Sequence, residues 1–201
     1  MRFIGITGGV GAGKTEILNY IGHHYKCEIY LADRVAEQLQ QPGTACFEAL
    51  VNLLGKEAVG KDGGLDRGHM AEKIFGNPTL LDQVNGIIHP AVKGFLTEKL
   101  EQARASGQVE LFFVEAALLI EAGYRGLVDE LWYIYADEAT RRKRLTGRRG
   151  YSEEKITRIM ASQLAEDKFR ENCDFVIDNS GSLEESFRQI DRKLEAFTWQ
   201  E

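Results

Sequence analysis

The chain has 201 residues, 43% hydrophobic and 28% charged, with 25 basic side chains against 31 acidic ones and a formal net charge of −6. This length and balance suit one globular domain, or one domain carrying a small subdomain, and exclude a disordered or collagen-like chain. A net acidic chain also lacks the surplus Lys and Arg that a nucleic-acid backbone demands, so no nucleic-acid partner is expected.

Short apolar runs alternate with amphipathic stretches, the pattern of an α/β protein built on a parallel sheet. The first strand, expected over 2–6, runs into a glycine-rich loop and then a helix opening at Lys14. A second strand follows over 28–31, with a helix from Asp33 and another from Thr44. The region 43–106 is too long for a simple crossover and reads as a helical insertion that forms one wall of a cleft. Its last stretch, beginning at Thr79, has apolar positions at Leu80, Leu81, Val84, Ile87, Ile88, Val92, Phe95, Leu96 and Leu100. Pro90 sits inside it. Proline removes a backbone donor and crowds the preceding turn, so a break or kink is expected near His89.

Strands over 111–115 and 131–135 come next, then a helix from Asp137. That helix carries Arg141, Arg142, Lys143, Arg144, Arg148 and Arg149 with no acid among them. A cationic island on an anionic body points to a local anionic ligand, the alternative being a solvated helix face. A helix from Ser152, a strand over 175–178 and a helix from Ser182 complete the order. The last shows Leu183, Phe187, Ile190 and Leu194 on one stripe, with Ser182 as its cap and Glu184 and Glu185 complementing its positive end.

The start of the chain, Met1-Arg2-Phe3-Ile4-Gly5, shows no apolar signal region. The most apolar stretch, from Val109 to Ile120, is interrupted by Glu110 and Glu115 and falls short of the roughly 20 residues that span a bilayer. Cys27, Cys46 and Cys173 form neither a disulfide framework nor a C-x-x-C pair, and His23, His24, His69 and His89 offer no zinc spacing. A cytoplasmic protein with reduced thiols and no membrane partner is expected.

Gly8-Gly9-Val10-Gly11-Ala12-Gly13-Lys14-Thr15 matches G-x-x-x-x-G-K-[ST], the phosphate loop. Successive backbone N–H groups must wrap a phosphate there, and side chains at the turns would obstruct it. Lys14 supplies a mobile charge for the β- and γ-phosphates, and the Thr15 hydroxyl can ligate Mg²⁺. The chain has no N-K-x-D for guanine readout and no room for a motor's second domain. The basic segment from Arg141 to Arg149 suits a lid, whose guanidinium groups stabilise a moving phosphoryl while closure excludes water. A kinase acting on an alcohol also benefits from a carboxylate beside the attacking hydroxyl. Asp33, just past the second strand, fits that role, or else caps the helix that follows. Glu115, ending the third strand, suits a Mg²⁺-bound water or a substrate group, or is a satisfied strand-end carboxylate.

Several segments together resemble the dephospho-coenzyme A kinase family. They are residues 4–15, Ala32-Asp33 with Pro42-Gly43, Gly64-Leu65-Asp66-Arg67 with Ile74-Phe75, Ile88-His89-Pro90, Leu118-Leu119-Ile120-Glu121, and a tail holding Arg158, Gln163, Lys168, Asp174 and Val176-Ile177-Asp178-Asn179. The resemblance implies ATP-dependent phosphorylation of the ribose 3′-hydroxyl of dephospho-CoA. It also implies one three-layer P-loop domain over 1–201 with a parallel five-stranded sheet. Its core would cover 1–42 and 107–201, with a helical substrate-side insertion at about 43–106 and a basic lid at about 139–170.

Carried over by matched position, Asp33 is implied as general base, with Lys14 and Arg144 as further catalytic groups. Gly8, Gly9, Gly11, Ala12, Gly13, Lys14, Thr15 and Glu16 would hold ATP phosphates, with Thr15 on Mg²⁺, Arg148 on the lid and Asn179 near the adenine. Thr7, Asp33, Leu65, Arg67, His89 and Glu115 would lie toward the acceptor. His89 beside Pro90 has the alternative of capping a helix break. Three residues depart from the family pattern: Leu31 and Glu115 for aspartates, and Ala117 for a proline. Two other readings stay open, a nucleoside or nucleoside monophosphate kinase and a non-catalytic ATP-binding regulator. A monomer or weak homo-oligomer acting on a small molecule is expected.

Overall fold

The computed structural model describes residues 1–198; residues 199–201, which the core expected over 107–201 includes, lie outside the described residues. The strands are β1 (Arg2–Thr7), β2 (Cys27–Leu31), β3 (Leu111–Glu115), β4 (Glu130–Tyr135) and β5 (Phe175–Asp178). The helices are α1 (Lys14–His24), α2 (Ala32–Leu39), α3 (Ala45–Leu54), α4 (Arg67–Ile74), α5 (Pro78–Ser106), α6 (Glu138–Arg149), α7 (Glu153–Ala161), α8 (Glu166–Asn172) and α9 (Leu183–Thr198). The chain divides into two compact units, Met1–Ile29 with Ser106–Glu201, and Tyr30–Ala105.

A five-stranded sheet has the order β2-β3-β1-β4-β5, with β1 parallel to β3 and β4, and β4 parallel to β5. Central strands of a parallel sheet are covered on both faces, so they read as continuous apolar runs. Phe3, Ile4 and Ile6 of β1 and the run Leu111, Phe112, Phe113 and Val114 of β3 are buried accordingly. Side chains alternate across β4 and show the layering. Trp132 and Ile134 pack with Ile17 and Ile21 of α1 and Ile190 and Leu194 of α9, whereas Tyr133 stacks on Phe169 of α8 at 4.6 Å. Helix, sheet and helix make three layers.

The second unit has its own core, where Cys46, Leu50, Leu54, Ala58 and Val84 pack with Leu39, Met70 and Ile87. Leu39 of α2 thus packs with the helices that follow it. Thr44 caps α3, accepting from Phe47 N at 3.0 Å, and Asp66 caps α4, accepting from His69 N at 2.9 Å. An antiparallel bridge between Val59 and Leu65 precedes α4.

The break expected near His89 does not occur: α5 is one helix of 29 residues with Pro90 inside it. An interior proline costs about 3 kcal/mol in helix propensity. Burial of Val84 before it and of Val92, Leu96 and Leu100 after it holds the helix together on both sides. Helices α4 and α8 stand where none was expected. Among the described residues no helix is long and apolar enough to cross a membrane.

Candidate active site

The carboxyl end of β1 runs straight into the glycine-rich loop, and two positions there demand glycine. Gly8 has φ 153°, and a methyl group on it would lie 2.4 Å from the backbone oxygen of Ile134. Gly13, which leads into α1, has φ 93°, and a methyl group on it would lie 2.3 Å from Asn179 Nδ2. A side chain at either point would lift the loop off its support. No side chain caps α1. Its first amides and its dipole are therefore left to an incoming anion.

Lys14 folds back across this loop. Its Nζ donates to Gly8 O at 2.8 Å and stands 3.5 Å from Glu115 Oε1, with both side chains largely shielded from solvent. Glu115 reaches it because β3 sets Glu115 opposite Ile6. The arrangement keeps a cation at the loop before any triphosphate arrives. Thr15 is exposed in the first turn of α1, and its hydroxyl has no hydrogen-bond partner among the described residues. Thr7 is fully buried, and its Oγ1 donates to Ala117 O at 3.2 Å, tying β1 to the segment after β3.

Helix α6 braces the loop from the other side. Arg141, Arg144 and Arg148 recur at i, i+3 and i+7, so they share one helix face. Arg141 Nε donates to Val10 O at 2.9 Å, and Arg144 donates to Ala12 O at 3.2 Å and to Asn179 O at 2.8 Å. Arg148 pairs with Glu16 at 2.6 Å, an exposed contact worth little by itself. Burial pushes the Arg141 and Arg144 guanidinium groups below their ordinary value, yet a guanidinium keeps its charge in proteins.

Asn179, expected toward the adenine, has a fully buried side chain bonded at both ends within the protein. Its Nδ2 donates to Ala12 O at 2.8 Å, and its Oδ1 accepts from the buried Ser186 Oγ at 2.8 Å. The Ala12 carbonyl thus receives Asn179 and Arg144 on its two lone pairs.

The remaining expected residues lie in the second unit. Asp33 falls in the first turn of α2, whose N-cap is Leu31, so Asp33 does not cap that helix. It is exposed, and its carboxylate has no hydrogen-bond partner among the described residues. Arg67, opening α4, stands 3.4 Å from Glu37. Leu65 is half-buried beside the bridge to Val59, and His89 is exposed in mid-helix, where there is no break for it to cap.

Three residues that serve the loop were given no site role by sequence reasoning: Arg141, Gln163 and Ser186. Arg141 was marked only as part of the basic run, although its spacing from Arg144 and Arg148 already put it on their face. Ser186 is a polar position on the apolar stripe of α9, a signal that was legible. Gln163 stood in the family-like tail, without a role attached to it.

A family model described as dephospho-CoA kinase matches residues 2–185 of the chain. The chain belongs to the dephospho-CoA kinase family. The dephospho-CoA kinase of Carboxydothermus hydrogenoformans is 35% identical over 205 residues, covering 100% of this chain and 97% of that one. The enzyme of that name from Thermosynechococcus vestitus is 36% identical over 190 residues, covering 94% and 91%. Among solved structures, a Thermus thermophilus protein superimposes with a TM-score of 0.80 at 29% identity, covering 97% of each chain. A dephospho-CoA kinase from Campylobacter jejuni gives 0.70 at 20% identity, covering 97% and 96%, a likeness of fold.

Proposed function

We propose that this chain transfers the terminal phosphoryl group of ATP to the ribose 3′-hydroxyl of dephospho-CoA, yielding coenzyme A and ADP. The observation that carries the reading is the family match over residues 2–185, which includes an intact phosphate loop. The enzyme is read as cytoplasmic, a monomer or weak homo-oligomer acting on small molecules.

The residue roles are part of the same proposal. The loop amides and Lys14 bind the β- and γ-phosphates, and Lys14 exchanges Gly8 O and Glu115 for phosphate oxygens as they enter. Asp33 accepts the proton of the ribose hydroxyl as its oxygen attacks. Its exposed, unspent carboxylate supports that role. Arg144 and Arg148 act from the lid, and Thr7, Leu65, Arg67, His89 and Glu115 serve the acceptor side. Asn179 supports nucleotide binding by fixing Ala12, since its side chain is committed there.

Mg²⁺ fits the donors at hand. Among the described residues no cluster of three or more His, Cys, Asp or Glu could cage a metal, while Thr15 offers an unspent hydroxyl. That suits an ion held mainly by phosphate oxygens and water. When bound, it neutralises charge on the triphosphate.

The test is ADP release by the purified protein with ATP, Mg²⁺ and dephospho-CoA. Release that depends on dephospho-CoA is expected. Release stimulated instead by a nucleoside or nucleoside monophosphate, with no response to dephospho-CoA, overturns the assignment.

A further inference from the structure

Gln163 lies on the short connector between α7 and α8, and its side-chain oxygen accepts two hydrogen bonds at once. One comes from the Val10 backbone N–H at 3.2 Å and the other from Arg141 Nη2 at 2.5 Å. Both partners are donors, so the oxygen of the amide, and not its nitrogen, must face them. Arg141 lies so close over the loop that a methyl group on Gly9 would stand 2.5 Å from Nη2. A main-chain N–H of a phosphate loop and a guanidinium converging on one partly negative oxygen form the donor set that recognises a phosphate oxygen.

The other two arginines of this face are engaged differently. Arg144 spends its terminal nitrogens on the carbonyls of Ala12 and Asn179, which are fixed in place, and Arg148 is paired at the surface with Glu16. Only Arg141, of the three, has a terminal nitrogen on a side chain that can swing away while its Nε stays anchored at Val10 O.

We infer that Gln163 is a positioning residue: its amide oxygen holds the Val10 N–H and Arg141 as a preset donor pair and yields both to a terminal phosphate oxygen of ATP. The inference rests on the phosphoryl-transfer reading above. A neutral amide oxygen is the right occupant, because charge-assisted bonds to phosphate are roughly twice as strong as those to a neutral acceptor. The exchange therefore runs toward the ligand. A carboxylate in the same place would keep Arg141 for itself and repel the triphosphate. Donors already aimed at the phosphoryl need no reorganisation during transfer.

The experiment compares Gln163→Met, which keeps bulk without an acceptor, Gln163→Glu, which makes the acceptor anionic, Arg141→Ala, and the Arg141→Ala/Gln163→Met double variant. Circular dichroism and melting temperature establish that each is folded. Gln163→Met is expected to lower kcat about tenfold with no rise in KM for dephospho-CoA. Gln163→Glu is expected to weaken binding of a non-hydrolysable ATP analogue about tenfold or more, read by calorimetry. Because Gln163 acts through Arg141, the double variant should be no slower than Arg141→Ala alone. Additive losses in the double variant, or an unchanged analogue affinity in Gln163→Glu, overturn the inference. The calorimetric comparison needs no acceptor. A wild-type protein silent toward dephospho-CoA would sink the kinase reading while leaving the affinity comparison decisive for Gln163.

Discussion

In the proposed reaction Asp33 serves as base and Lys14 as phosphate ligand, and separate variants read each role. Asp33→Asn keeps size and polarity but removes the base, so turnover should fall by about 10²- to 10⁴-fold while calorimetry shows ATP affinity nearly unchanged. Full turnover in that variant would remove Asp33 from the chemistry. Lys14→Ala deletes the cation that Gly8 and Glu115 hold at the loop, and should weaken ATP binding about tenfold or more in the same measurement. Lys14 was legible as a loop residue because a phosphate loop requires fixed residue types at fixed spacing. The helix-cap alternative for Asp33 needed coordinates to remove it, since one residue of helix register is involved: α2 starts at Ala32 and its N-cap is Leu31. Gln163 was visible only as a residue of the family-like tail, and its role was not legible. Its meaning comes from two bonds to segments 153 and 22 residues away, which no local pattern encodes.

Periodicity revealed helices in proportion to what they bury. The stripe of α9 was plain, and its Ser182 start proves to be a reciprocal cap: Glu185 N donates to Ser182 Oγ at 3.3 Å while Ser182 N donates to Glu185 Oε2 at 3.1 Å. Ser182→Ala should cost about 1 kcal/mol in urea unfolding. Helix α4 buries no residue and α8 only Phe169, so an apolar pattern had nothing to register there. Pro90 does not break its helix, because local propensity is overruled by apolar packing on both sides of it. Pro90→Ala restores the missing N–H within α5 and should raise the melting temperature, in line with a propensity gain of up to about 3 kcal/mol. A lower melting temperature would mean that the proline's own contacts matter more than the lost bond.

The molecule as a whole carries an alkaline liability. Burial raises the Tyr20 hydroxyl from 10.0 to about 12, helped by its bond to Asp191, and raises Tyr133 from 10.0 to about 12, helped by the charge of Glu166. Burial likewise raises the Cys173 thiol from 9.0 to about 12, with Asp174 adding to it. Between about pH 9 and 12 the unfolded chain releases these protons before the folded one does, so it binds fewer protons and stability falls as pH rises. The contribution is whole below about pH 9 and is lost on passing the folded values. Urea midpoints from pH 7 to 11 should decline over that window, and a flat profile would contradict the burial assigned to these groups. The alternation of strands and helices made the sheet legible in advance, whereas the packing of Leu39 with the helices that follow it was not.

The Ala12 carbonyl is fastened by a side chain 167 positions later, and that side chain is steadied in turn by Ser186. During synthesis, then, a ribosome reads Ala12 167 codons before the residue that completes the grip. A nascent chain stalled before Asn179 should pass through an ATP column unretained, and the finished enzyme alone should draw on the cell's nucleotide pool.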